Sequence, residues 1–369
     1  MSLKTAIKSK ITNHYISKEQ MHEEYLNIKD LPSASFSPLS DEEKKSAIQQ
    51  WGGVQIMSSF KELEVFKHYN GFDSRYLSHY LYLPLVARTL NNYHYTKFFE
   101  NKGLLDYLCK SGICFPKSFV RRIDNEYYDA DMQQIDYSDA IKILADKDVL
   151  IVKDSVDSAG GKSVSKLNLA DINGEERAEV IKREFGSRKS DFVVQECVRQ
   201  SKTMARFNEN SVNTLRITTL YLNGDATVCN TVLRFGKPHM MADNWGLGGI
   251  LCGVAADGRL RRTGYDIRLN PFTECNGIPF EETVISELPE IIPVILATHK
   301  ESFSLCKFIG WDVCIAEDGT PCVIEVNSSQ PGIFGEQLCN GPIFGERTQE
   351  VIEYIKTKPF VYNRALVRF

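Results

Sequence analysis

One stretch constrains the chain more than any other: residues 310–332, GWDVCIAEDGTPCVIEVNSSQPG. Two apolar runs flank Asp318-Gly319, a strong short-range signal for a β-hairpin. A two-residue turn there sets Glu317 opposite Thr320, and that register places Asp312 directly across from Glu325. Because side chains alternate along a strand, Asn327 shares the face of Glu325. Two carboxylates facing each other repel unless a cation lies between them. Oxygen-only ligands suit Mg²⁺, which takes a few carboxylates and completes its shell with phosphates and water. Asp312, Glu325 and Asn327 are therefore the candidate metal ligands. An inert, solvated acidic hairpin is the alternative, and Val313, Ile315, Val323, Ile324 and Val326 argue instead for a buried one.

Asn223-Gly224 and Asp257-Gly258 repeat the hairpin signal, so the region beyond about residue 149 reads as a largely antiparallel sheet. Helices are expected at 174–186, 287–307 and 344–357, giving an α+β architecture. Within it, VLIVKDSVDSAGGKSVSKL at 149–167 reads as strand, glycine-containing loop, strand. A Walker A loop would need glycine at Val156 and a helix after Lys162, and neither is present. The loop's amides, with Ser155, Ser158, Ser163 and Lys153, suit phosphate oxygens, although such a loop can equally be only a loop. DFVVQECVRQ at 191–200 reads as a strand entering a hinge, with Gln195 and Glu196 at its exit, where an extended backbone could take a purine. Arg216 lies on the strand face opposite Leu215, Ile217 and Tyr221, which directs its guanidinium to a cleft or to an exposed ion pair.

In this order and spacing (Lys102 ahead of a helix, Lys153 before Gly160-Gly161, the Gln195-Glu196 hinge, Arg216, then Asp312, Glu325 and Asn327) the chain resembles an ATP-grasp enzyme over roughly residues 98–357. SVNTLRITT, DNWGLGGI and IGWDVCIAEDGTPCVIEVN resemble, more narrowly, the sugar-transfer-associated ATP-grasp family of bacterial polysaccharide biosynthesis. The resemblance implies two α+β lobes enclosing ATP, with Lys102, Lys153, Gly160, Gly161 and Lys162 on phosphates. It places Gln195, Glu196, Cys197 and Val198 on adenine, and one or two Mg²⁺ ions on Asp312, Glu325 and Asn327. Many relatives carry an arginine two residues before the metal aspartate; here that position is Gly310, and Arg216 is the candidate to supply the charge. The glycine-rich loop 243–249, with Asp243, Asn244, Gly248 and Gly249, is expected to close over the acceptor, a surface turn being the alternative.

The activity implied is ATP-dependent ligation of a carboxylate and an amine through an acyl phosphate, with Arg216 and Lys153 as catalytic cations and a sugar or surface-polysaccharide precursor as substrate. Such chemistry needs positioning and electrostatics more than acid–base side chains, and the chain shows no histidine dyad or nucleophile elbow. A kinase acting on a sugar-like hydroxyl, and a non-catalytic nucleotide-binding partner of a glycosyltransferase, are the alternatives.

Three regions are expected in the 369 residues: a helical N-terminal region 1–97, a small lobe 98–194 and a large lobe 195–369. DEEKKSAIQQW starts behind Ser40 and Asp41 as caps, NKGLLDYLCK reads as a helix over 101–110, and ICFPKSFV reads as a strand. The aromatic cluster at 76–95 suits core packing better than a binding surface. A net charge of −4 argues against nucleic acid as a main partner. Ten cysteines without a C-x-x-C pair, seven scattered histidines, no apolar leader and no spanning segment suggest reduced thiols, no structural zinc and a cytoplasmic location.

Overall fold

Alternating apolar and polar positions build two antiparallel sheets, each with one face packed on helices. In a computed structural model, described for residues 18, 20–52, 59–109, 112–156, 163–237 and 243–358, the smaller sheet has six strands. These are β1 (Ser118–Ile123), β2 (Glu126–Tyr128), β3 (Gln134–Ile135), β4 (Val149–Asp154), β5 (Val164–Asn168) and β6 (Phe192–Glu196), in the order β3-β2-β1-β6-β4-β5. Helices Tyr137–Ala145 and Gly174–Ser187 cover one face, where Ile141, Leu144, Ile181 and Phe185 meet Val120, Leu150, Val152, Phe192 and Val194. Lys153 lies on the other face of β4, since its neighbours Val152 and Leu150 alternate into that core.

The larger sheet contains β7 (Thr214–Leu222), β8 (Asp225–Phe235), β9 (Ile250–Val254), β10 (Leu260–Tyr265), β11 (Pro271–Phe272), β14 (Phe308–Ile315) and β15 (Pro321–Asn327), with a separate ribbon of β12 (Glu274–Cys275) and β13 (Ile278–Pro279). Its order is β11-β10-β9-β8-β7-β14-β15. Leu215, Ile217, Leu233, Phe235, Trp311, Val313 and Val326 pack on helix Leu288–Ser302 through Leu288, Ile291 and Ile295. The fold is the α+β arrangement expected, with a helical region ahead of the first strand.

That helical region shares its core with the larger lobe. Trp51, Leu63, Phe66, Tyr82 and Leu90 pack with Leu220, Phe308, Phe334, Leu338, Phe344 and Ile352. Helix Asp41–Trp51 begins with a reciprocal capping box, Ser40 bonding the Glu43 amide and Glu43 bonding the Ser40 amide. Residues Tyr82–Ala87 form a buried π-helical turn around Pro84, which has no amide to close a regular helical bond. Among the described residues no helix is long and apolar enough to cross a membrane.

Two local expectations are corrected. The helix expected over 101–110 is a single turn, Leu105–Leu108, because the Lys102 amide bonds the Ser155 carbonyl and the Gly103 amide bonds Asn101 Oδ1. Strand β1 starts at Ser118, past Pro116, and not at Ile113. The turns also differ from one another. Asn223 and Gly224, with φ of 53° and 83°, make the two-residue turn between Leu222 and Asp225. At Asp318-Gly319 only the glycine is left-handed, with φ 85°, and Ala316 pairs with Thr320 around a three-residue loop.

Candidate active site

The longer turn shifts the pairing near the hairpin tip by one residue, so Val313 faces Val323 and Cys314 faces Cys322. A bulge at Ile324 then restores the register, and Asp312 does face Glu325, with Gly310 facing Asn327. The expected pair is present, for a reason different from the one the turn dipeptide suggested. Asp312 also faces Arg216 on β7, which in turn faces Val232 on β8. One row of directly opposed residues therefore crosses four strands on the face away from the Leu288–Ser302 helix.

The row is a buried ionic network. Arg216 donates through Nε to Asp312 Oδ1 at 2.5 Å and through Nη2 to Oδ2 at 3.1 Å. Arg234 reaches Asp312 Oδ2 at 3.3 Å and Asp243 Oδ1 at 3.5 Å, and the Thr214 hydroxyl donates to Asp243 Oδ2 at 2.5 Å. Arg216 Nη1 lies 3.8 Å from Glu336 Oε1. Asn327 donates to Asp312 Oδ2 at 3.4 Å. Lys102 Nζ is 3.0 Å from Glu325 Oε1. Four cations, Lys102, Lys153, Arg216 and Arg234, meet four carboxylates, Asp243, Asp312, Glu325 and Glu336, as buried charge requires.

Burial shapes the protonation of this cluster. It pushes the Lys153 ammonium down to about 8, with nearby Lys102 acting in the same direction and Glu325 against it. Burial also tends to raise Asp312, but Arg216 and Arg234 outweigh it and hold the carboxyl below the usual range. At Asp243 burial prevails over Arg234 and Thr214, and the carboxyl is raised.

Gly310 explains how Arg216 reaches its place. A Cβ on Gly310 would sit 3.1 Å from Arg216 Cδ, so the arginine stem crosses the space that a side chain at 310 would need. The guanidinium reaches Asp312 from the neighbouring strand across that gap.

The residue types fit a hard divalent cation: two opposed carboxylates, and Asn327, whose Nδ2 is turned to Asp312 and whose Oδ1 is left as a further oxygen. No group of three or more His, Cys, Asp or Glu side chains able to hold a metal occurs among the described residues, so further ligands would come from phosphate and water. Glu325, half-buried, is open to such an ion, whereas Asp312 would release one arginine to take it.

Lys102 and Lys153 are both brought to this centre. Gly160, Gly161, Lys162 and Ser158 lie outside the described residues. Gln195 and Glu196 are tied to the strand entering the small sheet: Gln195 Nε2 donates to Ser118 Oγ at 3.1 Å, and Glu196 Oε1 accepts the Lys117 amide at 2.8 Å. Cys197 and Val198 follow in a non-strand segment that the Ser201 amide and Arg199 carbonyl stitch to Ile315 and Glu317 at the hairpin tip. Loop 243–249 closes on itself, with the Gly249 amide on the Asn244 carbonyl, Gly248 at φ 100°, and Trp245 Nε1 bonded to the Tyr265 carbonyl at 3.0 Å. A side chain on Gly249 would strike the Asp243 carbonyl at 2.7 Å.

Sequence reasoning missed Arg234 and Glu336. Arg234 carried a usable signal: it is flanked by Leu233 and Phe235 as Arg216 is by Leu215 and Ile217, a lone charge in an apolar strand. Glu336, in the short helix Phe334–Asn340, had none.

Compared with known families, residues 86–353 match the family described as sugar-transfer associated ATP-grasp. Among solved structures, D-alanyl-alanine synthetase A from Vibrio cholerae O1 biovar eltor str. N16961 is 12% identical, with a TM-score of 0.39, over 74% of this chain and 66% of that one. A biotin carboxylase complex from Campylobacter jejuni is 7% identical, with a TM-score of 0.45, over 71% and 47%. An L-amino acid ligase from Bacillus licheniformis is 14% identical, with a TM-score of 0.36, over 74% and 48%. The chain thus spans less than two thirds of the length of each of these structures. No curated protein matches it.

Proposed function

The chain belongs to the sugar-transfer-associated ATP-grasp family, and from that membership we propose an ATP-dependent carboxylate–amine ligase working through an acyl phosphate. Its substrate is a carboxylate of a sugar or surface-polysaccharide precursor, and its nucleophile an amino compound. The observation that carries the reading is the row Arg216, Asp312, Glu325, with Lys102 closing on Glu325 and Lys153 buried beside them. A buried, charge-balanced site of this kind is prepared to receive a polyanion together with a cation.

Each side chain then has a task. Lys102 and Lys153 bind phosphate oxygens, and the 195–198 segment takes adenine along its backbone. Asp312, Glu325 and Asn327 hold Mg²⁺, which neutralises phosphate charge when bound. Arg216, released from one of its carboxylates, faces the phosphoryl group in transfer and stabilises the charge that develops there. Asp243, at the start of the 243–249 loop, anchors that loop to the site through Thr214 and Arg234 on the acceptor side.

The test is Glu325→Gln, which keeps the side chain's size and removes its charge. We expect the fold to persist and Mg²⁺-dependent ATP binding to weaken by about tenfold or more by calorimetry; unchanged affinity would remove the metal assignment. Incubating the intact chain with Mg-ATP, uronic acids and amines should release ADP and phosphate with an amide. A phosphorylated sugar without free phosphate would establish the kinase instead.

A further inference from the structure

Two cysteines that the proposed chemistry leaves unused meet where the two lobes join. Cys114 precedes β1 of the smaller sheet, and Cys322 lies on β15 of the larger one, three residues before Glu325. The two residues form an isolated parallel bridge, the Val323 amide donates to the Cys114 carbonyl at 2.8 Å, and the Cys114 thiol donates to the Phe115 carbonyl at 3.5 Å. Residues paired in adjacent extended segments lie within the Cα separation that a disulfide spans. Cys114 is exposed, while Cys322 is 2% exposed.

We propose that Cys114 and Cys322 are a reversible dithiol–disulfide site that ties the entry of the small lobe to the metal-binding hairpin. The asymmetry in exposure sets the order of events. The Cys114 thiolate attacks one sulfur of a low-molecular-weight disulfide, forming a mixed disulfide and releasing one thiol. Cys322 then gives up its proton and attacks the Cys114 sulfur, releasing the second small thiol. Two protein thiols are oxidised to one disulfide, and the small disulfide is reduced to two thiols. Burial pushes the Cys322 thiol up, so it acts as the resolving group and not as the first nucleophile.

Cys314 is the rival partner, since it faces Cys322 across β14 and β15. It is buried whereas Cys114 is exposed, so an oxidant in solution meets Cys114 first. The bond also differs in consequence. A Cys314–Cys322 link would only reinforce one hairpin, whereas Cys114–Cys322 adds a covalent tie between the sheets that carry Lys153 and Glu325.

The reduced full chain is exposed to oxidised glutathione, free thiols are alkylated after denaturation, and the disulfide-linked peptides are mapped. We expect a Cys114–Cys322 peptide pair, loss of alkylation at both positions, and full reversal by dithiothreitol. Cys114→Ser, at an exposed position that the fold tolerates, should remove the link. In Cys322→Ser the attacking thiol is intact and the resolving one is missing, so Cys114 should accumulate bound glutathione. The proposal is overturned if wild-type Cys114 ends as the glutathione adduct with Cys322 still alkylated, or if the link joins Cys322 to Cys314 or Cys114 to Cys197.

Discussion

At position 310 a missing side chain decides where a charge can stand. The strand carries glycine where the resemblance leads one to expect arginine, and Arg216 from the next strand fills the vacated volume with its Cδ. A side chain at 310 and Arg216 in its present place exclude one another sterically. Gly310→Ala should therefore cost stability by crowding Arg216, about 1–2 kcal/mol. The same change in an Arg216→Ala background should cost almost nothing, because the obstructing stem is gone. Arg216→Ala is itself expensive, since it leaves buried Asp312 with Arg234 as its one remaining arginine. The coupling between the two changes, measured by urea denaturation of all four chains, is therefore the meaningful quantity. Equal cost of Gly310→Ala in both backgrounds would show that the arginine does not depend on the glycine.

At the scale of elements, the hairpin shows what the sequence can and cannot tell. Alternation made the opposed carboxylates legible, and Asn223-Gly224 gave the expected turn because both residues accept positive φ. Asp318 keeps ordinary φ while its carboxylate accepts the Thr320 amide, which lengthens the turn, and the bulge at Ile324 absorbs the extra residue. A bulge has no residue signature here, so the agreement at Asp312 and Glu325 rests on two offsets that cancel. Arg234 could be singled out by its apolar neighbours but not its partners, which come from strand order, and Glu336 was illegible because its role comes from helix docking; both are long-range. The docking of helix Leu288–Ser302 on the larger sheet was equally hidden, and it rests in part on His299. His299 Nε2 donates to the Cys306 carbonyl at 2.8 Å, so Nδ1 accepts from the Thr219 hydroxyl at 2.7 Å, which in turn accepts Trp311 Nε1 at 2.8 Å. Each proton in that chain points one way, and a proton added at Nδ1 would force the Thr219 hydroxyl hydrogen to turn away from the ring. Burial accordingly pushes His299 down to about 4. Its ordinary value is near 6.5, so between these limits the unfolded chain binds more protons than the folded one, and stability falls as pH falls. Between about pH 7 and pH 5 this group should remove about 2 kcal/mol. Urea unfolding of wild type and His299→Gln at both values should show a smaller acid loss in the variant; equal losses would assign the acid sensitivity elsewhere.

At the scale of the molecule, the helical region with no chemical motif of its own supports the segment that leaves the metal strand. Asn91 donates to the Phe308 and Ser328 carbonyls, both at 2.5 Å, and accepts the Lys307 and Phe308 amides. The Tyr82 hydroxyl donates to the Pro331 carbonyl at 2.6 Å, and Glu100, just past the helical region, accepts the Ser328 and Ser329 amides. Gln337 pairs with both backbone groups of Leu77, at 2.9 and 2.8 Å. These bonds hold Ser328, Ser329 and Pro331, which follow Asn327, and Gln337, which follows Glu336, so the geometry of both site residues depends on chain far upstream. The apolar contribution is larger still. Removing residues 1–97 would uncover Leu220, Phe308, Phe334, Leu338 and Phe344 together, an apolar surface that a monomeric domain rarely exposes. A chain starting at residue 98 contains every proposed nucleotide and metal residue, yet it should lack a cooperative thermal transition and bind hydrophobic dye in the absence of denaturant. Circular dichroism melts of the full and shortened chains compare the two directly. A shortened chain that melts cooperatively at the temperature of the full one would show that the two lobes fold without the helical region and that its buried contacts are dispensable.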